Sequence, residues 1–169
     1  MQEVLVKAVN QQINAELYSA YLYLAMSSWA SSEGWTGTAN WLRIQAQEEQ
    51  VHATTLHDQL LERGERSVMA AIDAPPSEWK SISDVFEEVL AHEKKVTAMI
   101  NNLATIAQEQ KDHAFYEFIM MFVKEQVEEE DSASTILIRS KRLDGHPALL
   151  DQFDKELGAR VFTVPFANV

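Results

Sequence analysis

Four long stretches of the chain repeat their apolar residues every three or four positions, and this periodicity constrains the fold more than any other feature of the sequence. Apolar side chains spaced in this way share one face of an α-helix, so each stretch is expected to form a long helix with one buried face. The predicted helices run from about Glu3 to Ser32, from about Thr38 to Arg63, from Ser81 or Ser83 to about Gln110, and from Asp112 to Leu143. An all-α protein is therefore predicted.

The connections between these stretches predict how the helices are arranged. Residues 65–80 contain the adjacent Pro75 and Pro76 and lack helical continuity, which favours an extended crossover. Two helix pairs joined by one long crossover describe a four-helix bundle, here over about residues 3–143. We expect this bundle to belong to a single domain that takes in the whole chain, residues 1–169.

The sequence beyond the bundle predicts a short fifth helix over about residues 147–158, because Pro147 suits a first helical turn and Gly158 suits a helix end. An apolar tail follows this helix. The helix and the tail together hold Leu149, Leu150, Phe153, Leu157, Val161, Phe162, Val164 and Phe166. Such surplus apolar surface predicts a partner subunit. The alternative is that the tail folds back along its own bundle.

Composition excludes several classes of function. The chain has no Cys, which excludes thiolate metal sites, disulfides and a cysteine nucleophile. Its net charge of -12 disfavours binding to nucleic acid or to an anionic membrane and favours cations as partners. The first residues have no continuous apolar run typical of a signal peptide, and no stretch of eighteen apolar residues occurs, so a cytoplasmic protein is expected.

Polar residues interrupt the apolar face of every predicted long helix. Glu49 and His52 on the second helix are spaced i and i+3, so both side chains can reach one ion from adjacent turns. The other interruptions are Glu16 on the first helix, Glu93 on the third, and Gln126 and Glu129 on the fourth.

Each of these residues taken alone has an ordinary explanation. A single inward glutamate is often hydrogen-bonded to a tyrosine, a single histidine is often a satisfied core residue, and the acidic residues 125–131 could form a solvated face. Taken together, however, several carboxylates within one core repel each other unless they are protonated or hold a cation. Oxygen ligands with one imidazole suit iron or manganese, although zinc could also bind.

Four segments resemble the bacterial non-haem ferritins, in the same order and at the same intervals. They are NAELYSAYLY (residues 14–23), AQEEQVH (46–52), AHEK (91–94) and KEQVEEE (124–130). The resemblance implies a ferritin-like four-helix bundle with one long crossover and a short fifth helix. It also implies an iron storage protein that assembles as a homo-oligomeric cage of twenty-four subunits.

The resemblance implies a diiron centre and an accessory third iron site. Glu49 would bridge the two irons of the centre, and Tyr23 matches the family's tyrosine beside it. The first iron site would consist of Glu16, Glu49 and His52, and the second of Glu49 and Glu93 with Gln126 or Glu129 nearby. The third site would consist of Glu48, Glu125, Glu128 and Glu129.

The sequence departs from related diiron proteins on the fourth helix. Symmetric diiron proteins carry a second Glu-x-x-His there, whereas this chain has Gln126, Val127, Glu128 and Glu129. We therefore expect an asymmetric centre. No methionine matches the haem ligand of the bacterioferritins, so no haem is expected.

The predicted activity is ferroxidation, in which Fe(II) is oxidised to Fe(III) by dioxygen or peroxide before storage as a ferric mineral. The residues expected to take part are Glu16, Tyr23, Glu49, His52, Glu93 and Gln126. One alternative is a diiron oxidase or peroxidase of the rubrerythrin kind without storage, although such proteins usually carry a Cys-rich iron domain. A non-enzymatic metal-binding bundle is the other.

Overall fold

The computed structural model describes residues 1–166, and residues 167–169 of the predicted tail lie outside this range. Five helices are present in the described part of the chain. They are α1 (Glu3–Ser32), α2 (Thr36–Glu62), α3 (Ile82–Glu109), α4 (His113–Leu143) and α5 (Pro147–Leu157). The predicted all-α fold is confirmed, with α2 beginning slightly earlier than expected. None of the helices described is both long and apolar enough to cross a membrane.

The helix starts of the second pair follow from hydrogen-bonding side chains. Ser81 is the N-cap of α3, and its Oγ accepts a hydrogen bond from the backbone N–H of Asp84 at 3.1 Å. Asp112 caps α4 in the same way by accepting from the N–H of Phe115 at 3.1 Å. Each cap satisfies an N–H that has no partner within its own helix. Of the two serines considered, Ser81 therefore starts the helix.

The crossover between α2 and α3 has no helix or strand, as predicted, and two asparagines attach it to α1. Asn10 accepts a hydrogen bond at 2.6 Å from the backbone N–H of Val68. Asn14 donates one at 3.1 Å to the carbonyl oxygen of Ala71. Because these asparagines are one turn apart, the crossover runs along α1. α1 in turn packs mainly against α2, and α3 packs against α4.

The apolar core consists of two clusters, and the predicted polar residues lie between them on every long helix. On α1, for example, Ile13 belongs to one cluster and Leu22 to the other, with Glu16 between them. On α3, Val89 and Val96 flank Glu93 in the same way. A polar layer therefore crosses the middle of the bundle, and apolar packing closes both of its sides.

The apolar face of α4 differs in one detail from the spacing of its aromatic residues. The spacing of Phe115, Phe118 and Phe122 predicts that all three face the core. Phe118 packs against the core but is only partly buried, whereas Ile119 is fully buried. Both positions follow Phe115 at a helical spacing of three or four, so the sequence pattern alone does not distinguish between them. The rest of the face is buried as expected, from Phe122 to Ile136.

α5 docks onto the start of α2 through a buried aspartate. The carboxylate of Asp154 accepts hydrogen bonds from the backbone N–H groups of Gly37 and Thr38 at 2.8 and 2.7 Å, and from the Thr38 hydroxyl at 2.8 Å. The N-cap residue of α2 makes no side-chain cap, so α5 caps this helix from a distance. A Cβ on Gly37 would lie 1.7 Å from the carbonyl oxygen of Asp154, so only glycine permits this contact.

The surplus apolar surface predicted for the end of the chain is partly used within the subunit. Phe153 and Leu157 are buried against the bundle. Phe166 packs on His52 with ring centroids 5.4 Å apart. The described part of the tail therefore folds back, which favours the alternative considered for it. The side chains that stay exposed beyond α4 include Leu149, Val161 and Val164.

Candidate metal centre

Three of the predicted ligands meet in the polar layer at the middle of the bundle. Glu16 on α1 and Glu49 and His52 on α2 each offer a ligand atom, and these atoms all lie within 4.8 Å of one another. The three residues are at most 2% exposed. Glu49 and His52 approach each other at 3.4 Å, between Oε2 and Nδ1. The spacing of i and i+3 on α2 thus places both groups on one side of the helix, facing α1.

Two atoms of this group are buried without a hydrogen-bond partner among the described residues. They are Oε2 of Glu16 and Nε2 of His52. An unsatisfied buried polar atom costs about 1–3 kcal/mol, so native proteins rarely leave two of them together. A carboxylate oxygen and an imidazole nitrogen are ligands that iron, manganese and zinc accept. The three side chains are therefore better explained as ligands of a metal ion than as polar groups buried without a partner.

Two glutamines that were not assigned a role from the sequence support the two carboxylates. Gln12 donates a hydrogen bond from Nε2 to Oε1 of Glu16 at 2.8 Å. Gln45 donates from Nε2 to Oε1 of Glu49 at 3.2 Å. Each glutamine lies four positions before its glutamate, so the repeated Gln-x-x-x-Glu spacing was a usable signal. Such partners orient ligands and leave their other oxygens free for an ion.

Glu93 on α3 lies in an adjoining network and not within the group of three. Its Oε1 accepts a hydrogen bond from the Tyr23 hydroxyl, and its Oε2 accepts one from Nε2 of Gln126 at 3.1 Å. Glu129 on α4 accepts from Nε2 of Gln45 at 2.8 Å. All the residues predicted for the diiron centre therefore lie in one continuous polar layer. Within the described residues, only the group of three has ligand atoms gathered closely enough for one ion.

The carboxyl groups of this layer hold protons more strongly than ordinary glutamates. Burial raises the pKa of Glu16 and Glu49 well above the usual range, and neighbouring carboxylates raise it further. Burial also raises the pKa of Glu93, and it raises the pKa of Glu129 to about 8. A bound cation would offset the same repulsion that protons offset in its absence.

The four residues predicted for the third site line a surface pocket between α2 and α4. The cavity measures about 200 Å³. Glu48 and Glu129 are buried, Glu125 is partly buried, and Glu128 is exposed. The structure therefore brings the predicted carboxylates together. We call this cavity, lined by Glu48, Glu125, Glu128 and Glu129, the acidic pocket.

Arg160 enters the acidic pocket from the tail, and no local sequence pattern predicts this contact. Its Nη2 forms an ion pair with Oε2 of Glu48, and its Nη1 donates to Oε1 of Gln45 at 2.8 Å. The guanidinium carbon lies 4.4 Å from the centroid of the Trp41 ring. Burial raises the pKa of Glu48, and the positive charge of Arg160 opposes that rise. A side-chain cation therefore already occupies part of the pocket.

His92, which was given no metal role, lies behind Tyr23 and away from the group of three. Its ring meets that of Tyr23 edge to face at 5.9 Å, and its Nε2 lies 2.8 Å from Oγ of Ser19. Burial lowers the pKa of His92 to about 4, so the ring is neutral near neutral pH. His92 therefore packs against the tyrosine and adds no charge to the centre.

A bundle with one long crossover, whose helices bring buried carboxylates and one histidine to its middle, defines the class of ferritin-like helical proteins. Residues 6–143 match the sequence profile of the Ferritin-like domain. This match covers most of the chain. It follows that the chain belongs to the ferritin family.

Similar proteins are found among bacteria and archaea. A bacterial non-haem ferritin of Bacteroides fragilis is 40% identical over 158 residues, which cover 94% of this chain and 98% of that one. A probable bacterial non-haem ferritin-like protein of Haemophilus influenzae is also 40% identical, over 94% of this chain and 96% of the relative. The open pore ferritin of Archaeoglobus fulgidus has 45% identity and a TM-score of 0.94, with 95% of this chain and 99% of that chain covered. The predicted resemblance to bacterial non-haem ferritins is thereby confirmed.

Proposed function

We propose that this protein stores iron and that the centre of its bundle oxidises Fe(II) to Fe(III), with dioxygen or peroxide as the oxidant. The observation that carries this proposal is the buried group of Glu16, Glu49 and His52, in which two ligand atoms have no partner among the described residues. Membership of the ferritin family supports storage. Iron is the substrate of this site, and the chain supplies ligands, orientation and shielding from water.

Each residue of the polar layer has a distinct part in this proposal. Glu16 and His52 hold a first Fe(II), Glu49 extends from the first ion to a second, and Glu93 completes the second position. Gln126 and Tyr23 fix the carboxylate of Glu93 by hydrogen bonds. Hard carboxylate oxygens bind both Fe(II) and Fe(III), so the same ligands serve before and after oxidation.

The reaction balances when two Fe(II) ions act on one dioxygen molecule. Each Fe(II) loses one electron, and dioxygen takes up both electrons with two protons to form hydrogen peroxide. When peroxide is the oxidant, two Fe(II) ions reduce it with two protons to two molecules of water. Binding of Fe(II) releases protons from carboxyl groups whose pKa burial has raised, such as Glu49 and Glu129.

Anaerobic titration with Fe(II) followed by exposure to air tests this proposal. We expect about two Fe(II) ions to bind per subunit with release of protons, and about one dioxygen to be consumed per two Fe(II). The variant that tests the assignment is Glu16→Gln, which keeps the volume of the side chain and removes its charge. Fast oxidation by Glu16→Gln at the rate of the parent protein would contradict the assignment.

We further propose that the subunits form a hollow cage of twenty-four copies. Exposed apolar side chains on the crossover, such as Val68, Met69 and Ile72, support association because contact with another subunit would remove this apolar surface from water. Light scattering of the purified chain measures the assembly, and electron microscopy shows whether ferric mineral is enclosed. Rapid iron oxidation by a monomer or dimer without retained mineral would support the rubrerythrin-like oxidase instead.

A further inference from the structure

We propose that Arg160 is the resident cation of the acidic pocket, where it competes with metal ions for Glu48 and also positions Gln45 toward the metal centre. The inference rests on the proposed iron centre for its second half and on the pocket alone for its first half. Arg160 would therefore determine how much metal the pocket accepts and how firmly Glu49 is oriented.

The first step is how the fold delivers the guanidinium. α5 is fixed to the start of α2 by the buried Asp154. The chain then turns after Gly158, and the side-chain amide of Asn40 donates a hydrogen bond at 3.1 Å to the carbonyl oxygen of Arg160. The backbone of Arg160 is thus held from α2 itself. The side chain needs only to lie along Trp41 to reach the pocket.

The second step is the electrostatics of the pocket. Arg160 is the only basic residue among the described residues that line it, against four carboxylates. Its ion pair with Glu48 is well shielded, because the Glu48 side chain is 9% exposed and that of Arg160 is 24% exposed. A pair with little exposure is screened less by salt than a surface pair. A metal ion must therefore displace the guanidinium before Glu48 can act as a ligand.

The third step links the pocket to the metal centre through one amide. Oε1 of Gln45 accepts from Arg160, so Nε2 on the other side of the amide points to Glu49 and Glu129. Arginine has no acceptor, so only one orientation of the amide satisfies all three partners. Without Arg160 the amide is free to turn its oxygen toward these carboxyl groups, and Nε2 would then no longer donate to Glu49. Arg160 therefore acts on Glu49 through Gln45.

Calorimetric titration of the metal-free protein with Zn²⁺ tests the competition. We expect Arg160→Ala to bind about one more Zn²⁺ per subunit than the parent protein, at the acidic pocket. Arg160→Lys keeps the positive charge and should still exclude this ion. The gain in Arg160→Ala should disappear when Glu128→Ala is added. An unchanged number of ions in Arg160→Ala would overturn the competition.

A second measurement tests the positioning role separately. Arg160→Ala, Arg160→Lys and Gln45→Leu should each slow initial Fe(II) oxidation by about 10-fold, the lower range for loss of a partner behind a metal ligand. Because a lysine cannot reproduce the forked contact to Glu48 and Gln45, it should restore the exclusion of Zn²⁺ but not the rate. Combining Arg160→Ala with Gln45→Leu should add no further loss. Additive losses would overturn the proposed link.

Arg139 provides the matched control. It also pairs with a glutamate, Glu156, at 2.6 Å, and its guanidinium lies 4.7 Å from the centroid of the Phe153 ring. It does not line the acidic pocket, so Arg139→Ala should change neither Zn²⁺ binding nor oxidation. The Zn²⁺ gain is also measured in a Glu49→Ala background. A gain that persists there supports the pocket proposal even if the iron centre proposal fails.

Discussion

The two acidic regions of this protein lie side by side but balance their charge differently. In the middle of the bundle, Glu16 and Glu49 are buried, and among the described residues no lysine or arginine is paired with them. At the edge, the acidic pocket contains the guanidinium of Arg160, paired with Glu48. The first region is left to be neutralised by protons or a metal ion, whereas the second already contains a permanent cation.

This difference predicts which region a metal ion would enter first. A cation entering the centre replaces protons and satisfies the unpaired atoms of Glu16 and His52. A cation entering the pocket must displace a guanidinium that has its own ion pair and aromatic contact. We therefore expect metal to fill the centre before the pocket.

The largest effect is expected from Glu49→Ala. This substitution removes one of the buried carboxyl groups that distinguish the centre from the acidic pocket. Initial Fe(II) oxidation should fall by at least about 1,000-fold, because even an outer partner is worth about 10–100-fold and Glu49 is expected to contact both ions. Stopped-flow absorbance after mixing with oxygenated buffer measures this. The helical content should persist, since the substitution removes buried repulsion. Oxidation at the parent rate would show that the centre lies elsewhere.

The next effect concerns how the stability of the protein depends on pH, because protons neutralise the buried carboxyl groups of the centre. Glu129 has a folded-state pKa of about 8, raised above that of the unfolded chain by burial. A raised pKa contributes stability that is full below about pH 4 and is lost as pH rises toward 8, at about 1 kcal/mol per pH unit. Glu129→Gln should therefore be increasingly more stable than the parent protein between pH 5 and 8. Urea unfolding in the presence of a chelator measures the difference, and Zn²⁺ should reduce the loss of stability of the parent protein as the pH rises, because metal binding favours the deprotonated carboxylates. If the stabilities of the two proteins changed in parallel with pH, protons would not be what neutralises Glu129 in the folded protein.

A smaller effect is expected from Tyr23→Phe, which tests how far the centre depends on orientation alone. The substitution removes the hydroxyl that donates to Glu93 and keeps the ring against His92. We expect unchanged Fe(II) stoichiometry but oxidation slowed by about 10-fold. Anaerobic titration and stopped-flow kinetics on the same sample separate the two outcomes. If the kinetics are also unchanged, Tyr23 serves only in packing.

The smallest effect is expected from Glu128→Ala in the otherwise unchanged protein. This carboxylate is exposed and makes no ion pair among the described residues, so its removal should alter stability by less than about 1 kcal/mol. Zn²⁺ stoichiometry should stay the same while Arg160 occupies the pocket, with changes only at high iron loading. A lost Zn²⁺ in this single variant would mean that the pocket binds metal despite Arg160.

The fold and the pairing of Glu49 with His52 were predictable because both depend on local spacing, whereas the resemblance to the bacterial non-haem ferritins joined Glu16 to them. A helix places residues three or four positions apart on one face, so Glu49 and His52 could be paired before their surroundings were known. The supporting role of Gln12 was within reach by the same reasoning. Because glutamine is uncharged, Gln12 does not stand out among the polar interruptions of the apolar face, and only its distance of four residues from Glu16 marks it.

The role of Arg160 could not be read from local spacing. Its contact with Glu48 joins residues 112 positions apart and depends on where α5 docks. That docking in turn requires a backbone contact between Gly37 and Asp154 that no helical pattern contains. The choice of Ile119 over Phe118 as the buried residue also depends on neighbouring helices rather than on period. Both the contact of Arg160 with Glu48 and the choice of buried residue on α4 therefore depend on packing between segments that are distant in the sequence.

The close contact at Gly37 allows an uncharged residue that does not line the acidic pocket to affect metal binding there through the docking of α5. Any side chain there would meet the backbone of α5 and push that helix outward, and the tail would withdraw with it. Gly37→Ala should thus phenocopy Arg160→Ala in Zn²⁺ binding, although it changes no charge and touches no ligand. In a random mutagenesis screen for altered metal loading, alleles at this glycine should be recovered alongside those at the acidic residues.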